Sequence, residues 1–195
     1  MELTDAELAV IMLTDDIETH TIDGLLDAVS ECVNHKVKEV RLLLSSRGGD
    51  VQQAIAAYNI LRGLPIKIST HNVGTVASSA NIIYLAGSKR LTCPNATFMI
   101  HGLSLTVPGP DSLDITAMKT LASHVAQDDR QFRGIMAEAC GLEPKQVKRY
   151  FKSTPTFLNA RQGLTLGLAT AIEKVSIPPH AQVIGISPKA YASGC

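Results

Sequence analysis

One stretch restricts the fold more than any other. Pro65-Ile66-Lys67-Ile68-Ser69-Thr70-His71 is a β-type run, with a strand predicted over Ile66–Thr70. Val73-Gly74-Thr75-Val76-Ala77 supplies a tight turn of small residues. Ser78-Ser79-Ala80-Asn81-Ile82-Ile83-Tyr84-Leu85-Ala86-Gly87 is apolar enough for a buried helix. A strand that passes through a small-residue turn into a buried helix is one step of an α/β fold. Ser78 stands where the helix should begin. A serine there sits at the positive end of the helix, where it can act as a nucleophile with backbone N–H groups close by. The same position is also where a serine simply caps a helix.

The same step recurs along the chain. Ala9–Leu13 is a short apolar strand, and Thr14–Glu18 is turn-rich. His20–Val33 has helical spacing through Ile22, Leu25, Leu26 and Val29. Val37–Leu44 reads as a buried strand, broken by Ser45-Ser46-Arg47-Gly48-Gly49-Asp50. Val51–Leu61 is the next helix, ended by Gly63. Pro94-Asn95 is a turn, and Ala96–Ile100 is a strand that ends at His101. Val107-Pro108-Gly109-Pro110 is a loop. Asp111–Cys140 is a long amphipathic helix with Ile115, Met118, Ala122, Val125, Phe132, Ile135 and Met136 on one face, closed by Gly141. Pro144–Tyr150 is a short helix with proline in its first turn. Phe157-Leu158 is a strand, Asn159 with Gln162 forms a capping box, and Leu168–Ile172 is the last strand. The tail from Ile177 is irregular. This gives a lead-in at residues 1–8, one α/β domain over 9–175 and a tail at 176–195.

Composition removes several classes of function. The 195 residues carry no net charge and no Lys/Arg cluster, which argues against nucleic acid as the main partner. Aromatic residues are 4% of the chain, too few for a stacking platform. Ala9–Leu13 is too short for a signal-peptide core or a membrane span. Cys32, Cys93, Cys140 and Cys195 lie far apart with no C-x-x-C spacing, so neither a zinc site nor any other metal or cofactor is expected. They are read as reduced thiols of a cytoplasmic protein.

Three strand ends carry groups suited to chemistry: Gly48-Gly49, Ser78 and His101. In α/β sheets ligands gather at the carboxyl ends of the strands. Ser78 would need a base, and neutral imidazole suits that role near pH 7. A tetrahedral oxyanion would need N–H donors, for which Gly49 and Ser79 are the natural sources. Each feature also has a plain structural reading. A Gly-Gly pair is commonly just a turn, a histidine after an apolar strand is commonly structural, and Cys93 beside Pro94 is commonly a buried turn residue.

Taken together and in order, Ser46-Arg47-Gly48-Gly49-Asp50-Val51, Gly74-Thr75-Val76-Ala77-Ser78-Ser79 and Pro94-Asn95 through Met99-Ile100-His101 resemble the ClpP family, the proteolytic subunits of the ATP-dependent Clp protease. Phe157-Leu158-Asn159-Ala160 and Gly167-Leu168 are similar to that family's later segments, and the resemblance spans about residues 9 to 172. It implies a crotonase-like spiral of ββα units with a protruding handle helix, here Asp111–Cys140. It implies a serine endopeptidase that cuts unfolded polypeptides inside stacked heptameric rings, a tetradecamer, fed by an AAA+ unfoldase. Carried onto this chain, Ser78 is the nucleophile, His101 the general base, and Gly49 and Ser79 the oxyanion donors. Gly48, Asp50 and Val51 would line an extended substrate added as a strand.

The chain departs from that pattern in three places. The acid of the triad falls at Thr154 or Pro155, and no Asp follows Asp129. Thr154, Pro155 and Asn159 are therefore the candidate third members, and none of them can neutralise an imidazolium. Few residues precede the first strand where the family has a gating loop. Arg47 replaces a proline and is expected to point to solvent. These departures keep a second reading open, that of a weak or inactive subunit assembling with an active ClpP paralogue. The related crotonase architecture would point to acyl-CoA chemistry instead. A Ser–Lys dyad of the signal peptide peptidase A type would need Lys in place of His101.

Overall fold

In this computed structural model, residues 7–104, 114–179 and 181–186 are described. The predicted loop at Val107–Pro110, most of the lead-in and Cys195 lie outside them. The strands are β1 (Leu8–Leu13), β2 (Glu39–Ser46), β3 (Lys67–Ala77), β4 (Lys89–Thr92), β5 (Thr97–Ile100), β6 (Thr156–Asn159), β7 (Ala171–Ile172) and β8 (Gln182–Ile186). The helices are α1 (Thr19–Asn34), α2 (Val51–Gly63), α3 (Ala80–Leu85), α4 (Ile115–Cys140), α5 (Pro144–Lys148) and α6 (Ala160–Leu166).

The strands form one sheet in the order β6-β5-β3-β2-β1-β8. β4 pairs with β3 and β7 off that path. All pairings are parallel except β5 with β6. The central strands carry near-continuous apolar runs such as Leu42-Leu43-Leu44, all buried, as a parallel sheet covered by helices requires.

The β3 strand is longer than the sequence suggests, because Gly74 is not in a turn. The strand runs on to Ala77 and changes partner on the way. Ser69–Asn72 pairs with β4, and Thr75–Ala77 pairs with β5. Against β2 the register slips between Leu44↔Asn72 and Ser46↔Val76, a bulge on the β3 side. Side chains hold it. The Gly74 N–H donates to Asn72 Oδ1 (3.1 Å), and the Thr75 N–H donates to Ser45 Oγ (3.2 Å). Asn72 Nδ2 also donates to the Thr97 carbonyl (2.8 Å), which ties the bulge to β5. A glycine flanked by such partners continues a strand, and this outcome has no signature in hydrophobic periodicity.

Two further strands have no counterpart in the periodicity. β4 is only four residues long and half charged. β8 lies in the tail expected to be irregular, yet residues 182–186 pair in parallel with Ala9–Leu13 at the sheet edge. Its burial alternates weakly, which is why an edge strand with Gly185 near its end gives little signal.

The core is continuous across the sheet. Tyr84 and Phe98 meet edge-on at 5.3 Å, and Phe132 and Phe151 at 4.9 Å. The handle helix α4 buries only Phe132 and Met136 fully, while Ile115 and Met118 near its start stay exposed. Gly141 ends it in the left-handed conformation (φ 64°), as predicted. The guanidinium of Arg90 gathers the carbonyls of Leu168 (2.7 Å), Ala139 (2.9 Å) and Gly167 (3.0 Å), which joins β4 to the ends of α4 and α6. His71 is buried on β3. Its Nε2 faces the Glu173 carbonyl at 3.1 Å and Cys93 Sγ at 3.5 Å, and its Nδ1 has no partner among the described residues. Burial, above all, holds its pKa below the usual imidazole value. Cys32, Cys93 and Cys140 carry free thiols, and burial pushes that of Cys140 up to about 11. Arg47 reaches solvent (86% exposed) but also grips Asp16 with two bonds, at 2.9 and 3.2 Å.

Candidate active site

Ser78 lies in the two-residue elbow between β3 and α3. Its φ is +52°, a left-handed conformation that costs a non-glycine residue about 1–2 kcal/mol. Three main-chain contacts hold it there. The Ser78 N–H donates to the Met99 carbonyl (2.9 Å). The Ser78 carbonyl accepts from the Asn81 N–H (3.1 Å) and from Asn81 Nδ2 (3.0 Å), whose second bond goes to the Met99 carbonyl (3.0 Å). Asn81 is fully buried, so a polar side chain in the apolar helix α3 is committed to shaping the elbow. The cap reading of Ser78 fails, because the N-cap of α3 is Ser79 and not even that hydroxyl caps.

The strain places the Ser78 hydroxyl on His101, at the end of β5. Oγ and Nε2 are 2.8 Å apart. The other ring nitrogen, Nδ1, lies 2.7 Å from the Gly102 carbonyl. A carbonyl oxygen can only accept, so Nδ1 carries the proton. Nε2 is then left with the lone pair that accepts from the Ser78 hydroxyl. The Gly102 N–H, in the preceding peptide unit, donates to the Lys152 carbonyl (2.7 Å), which ties down the residue whose carbonyl orients the ring.

Among the described residues none of the three candidate third members hydrogen-bonds to His101. Thr154 and Pro155 lie in exposed chain. Asn159 sits opposite Thr97 at the far end of β5, and its amide caps α6 by accepting from the Gln162 N–H (3.0 Å). The expected segment does approach the site, but through the main chain of Lys152. The Gly102 carbonyl stands where the family pattern calls for a side chain. No sequence signal marks a backbone carbonyl for such a role, whereas Asn81 is visible as an amide three residues after Ser78 in an apolar run.

The glycine turn closes the other side. Ile17 pairs with it as a short parallel bridge. Its N–H donates to the Gly48 carbonyl (2.8 Å), and its carbonyl accepts from the Asp50 N–H (2.8 Å). In extended chain the groups of the intervening residue then face the opposite way. The Gly49 carbonyl accordingly accepts from Ser79 Oγ (3.0 Å), on the elbow side. Among the described residues no protein group takes the N–H of Gly49 or of Ser79. Both glycines have positive φ, 98° and 149°. A Cβ on Gly48 would stand 2.7 Å from Ser78 Cβ, and one on Gly49 would stand 2.2 Å from the Ile17 carbonyl oxygen. Asp50 caps α2 by accepting from the Gln53 N–H (2.9 Å).

Two cavities flank His101. The larger, about 660 Å³, lies between residues 101–104 and the Met118, Leu121, Ala122 and Val125 face of α4, with Phe151 behind. The smaller, about 430 Å³, opens on Ser78 and is walled by residues 49–52, His101, Val125 and Asp128. Among the described residues no His, Cys, Asp or Glu cluster has the makings of a metal site, and no helix is long and apolar enough to cross a membrane.

A serine hydroxyl hydrogen-bonded to an imidazole, with two N–H groups beside it that no protein group takes among the described residues, defines an α/β protein whose site has the geometry that a serine nucleophile requires. The family follows from comparison. Residues 6–176 match the family model described as Clp protease, and the chain belongs to that family. It is 28% identical over 139 residues to ATP-dependent Clp protease proteolytic subunit 2 of Treponema denticola, covering 70% of this chain and 67% of that protein. Its fold is similar to that of a ClpP1 point mutant from Listeria monocytogenes. The TM-score is 0.73 at 18% identity, over 85% of this chain and 91% of the other.

Proposed function

We propose that the protein is a serine endopeptidase that hydrolyses peptide bonds of unfolded polypeptides inside an oligomeric chamber. The reading rests on one observation, the 2.8 Å contact between Ser78 Oγ and His101 Nε2. Ser78 Oγ attacks the scissile carbonyl as its proton passes to Nε2. The tetrahedral oxyanion is held by the N–H groups of Gly49 and Ser79. The imidazolium then protonates the leaving amine, and water attacks the acyl-serine by the same route in reverse. An extended substrate lies alongside Gly48, Asp50 and Val51. Membership of the Clp protease family supports assembly in a ring, a heptamer or tetradecamer, and delivery of chains by an AAA+ unfoldase.

The imidazolium formed in the first step has a carbonyl rather than a carboxylate at Nδ1. The dipole keeps the tautomer but leaves the charge uncompensated; a neutral group in place of the carboxylate lowers turnover by about 10⁴-fold where the tautomer is lost as well, so the cost with the tautomer kept is smaller than that. This favours a slow enzyme, and it gives weight to a second reading in which the chain modulates an active paralogue in a mixed ring. A fluorophosphonate probe decides between them on the assembled protein. Labelling of Ser78, with peptide cleavage lost in Ser78→Ala, supports the first reading. Intact rings without adduct or turnover, gaining activity only on mixing with a paralogue, support the second.

A further inference from the structure

The wall of the smaller cavity carries a charge that the chemistry above does not use. Asp128, on α4, is half-buried and lines that cavity together with Ser78 and His101. Its Oδ1 accepts from Gln52 Nε2 at 2.6 Å. Gln52 also reaches Gln131 Oε1 at 3.3 Å, so a neutral amide held from two sides fixes the carboxylate in place without neutralising it. The adjacent Asp129 behaves differently. It is paired with Arg133 at 2.7 Å, one turn along the helix. Among the described residues no Lys, Arg or His lies within ion-pair distance of Asp128. Among the described residues the second carboxylate of the cavity, Asp50, is likewise bonded only to a backbone N–H. Among the described residues no Lys or Arg lines the space.

A fixed, half-buried carboxylate in a concave wall favours a cation that can reach it and disfavours a second anion. We infer that Asp128 is a specificity-determining residue, and that the cavity beside Ser78 takes the Lys or Arg side chain of a substrate residue flanking the scissile bond. The fit is chemical as well as electrostatic. Val125 offers an apolar surface to the methylene stem, and Asp128 meets the charged head. This assignment rests on the peptidase reading for its substrate, and the binding arm of its test needs no turnover.

Matched fluorogenic peptides carrying Lys or norleucine at each position flanking the cleaved bond isolate the ammonium group. On the assembled enzyme the kcat/KM ratio should favour Lys by about tenfold at one of those positions, which corresponds to about 1.4 kcal/mol. The ratio should shrink in high salt, fall to about one in Asp128→Asn and invert in Asp128→Lys. A ratio near one at every position overturns the inference. So does a Lys preference that survives Asp128→Asn, or a loss in that variant that is equal for both peptides. The same two peptides are then bound to the Ser78→Ala chain and followed by fluorescence anisotropy. Tighter binding of the Lys peptide without turnover in the parent would keep the inference and sink the peptidase reading. Equal binding would sink the inference even if the Asp128 variants fail to fold.

Discussion

Gly48→Ala tests how the glycine turn and the elbow depend on each other. At φ 98° an alanine is strained whatever the space around it, and its Cβ would stand 2.7 Å from Ser78 Cβ, 2.8 Å from the Ala77 carbonyl oxygen and 3.1 Å from the Ser79 nitrogen. Two of those three neighbours are main chain and cannot swing aside. The backbone penalty is about 1–2 kcal/mol, and forcing a methyl into a packed site adds about 1–3 kcal/mol. The sum, roughly 2–5 kcal/mol, is a large part of a typical domain's stability. At this chain length it corresponds to a fall in Tm of roughly 5–20 °C. The atoms pushed are those of the elbow and the free Ser79 N–H, so fluorophosphonate labelling of Ser78 should slow by roughly ten- to a hundredfold even below the transition. Urea unfolding gives the first number and the labelling rate at saturating probe gives the second. A Gly48→Ala protein within about 0.5 kcal/mol of the parent and labelled at the parent rate would refute the argument.

Other perturbations separate structure from chemistry. Ser78→Gly removes the nucleophile and also the left-handed strain at φ +52°, so it should unfold at higher urea than Ser78→Ala while neither is labelled. Asn159→Ala should lose about 1 kcal/mol from the α6 cap with peptide cleavage unchanged, whereas collapse of cleavage would return Asn159 to the site. Arg90→Ala leaves three part-buried carbonyls without their guanidinium donor and should cost about 1–3 kcal/mol, read by thermal unfolding. His71 is held neutral by burial, its folded pKa lying below the unfolded value of about 6.5. The unfolded chain therefore binds the proton first as pH falls. The groups facing His71 are Glu173, Lys89, Arg41 and the Cys93 thiol. Stability should be full above about pH 6.5 and decline below it, less steeply in His71→Gln, as followed by urea midpoints across that range.

The alternation of strands and helices was legible because buried parallel strands and amphipathic helices have distinct periodicities. α1, α2 and the end of α4 fell where the pattern put them. The juxtaposition of Gly49, Ser78 and His101 was legible because each follows a strand end, and parallel strands bring those ends together. What was not legible depends on single hydrogen bonds. Gly74 looks like a turn until Asn72 and Ser45 satisfy its bulge. β8 looks like a tail until it finds the edge of β1. The group that orients His101 is invisible because every residue has a carbonyl, and a search confined to side chains at 154, 155 and 159 overlooks it.

That carbonyl has a consequence for how the site tolerates change. An orienting side chain can be lost by one substitution, but the Gly102 oxygen and the Lys152 oxygen that accepts from the Gly102 N–H belong to the chain itself. Side chains along residues 152–155 are therefore free to drift so long as the connection into β6 keeps its path. Drift in sequence there leaves the tautomer of His101 untouched. An insertion or deletion in the same stretch would move the Lys152 carbonyl and release the ring.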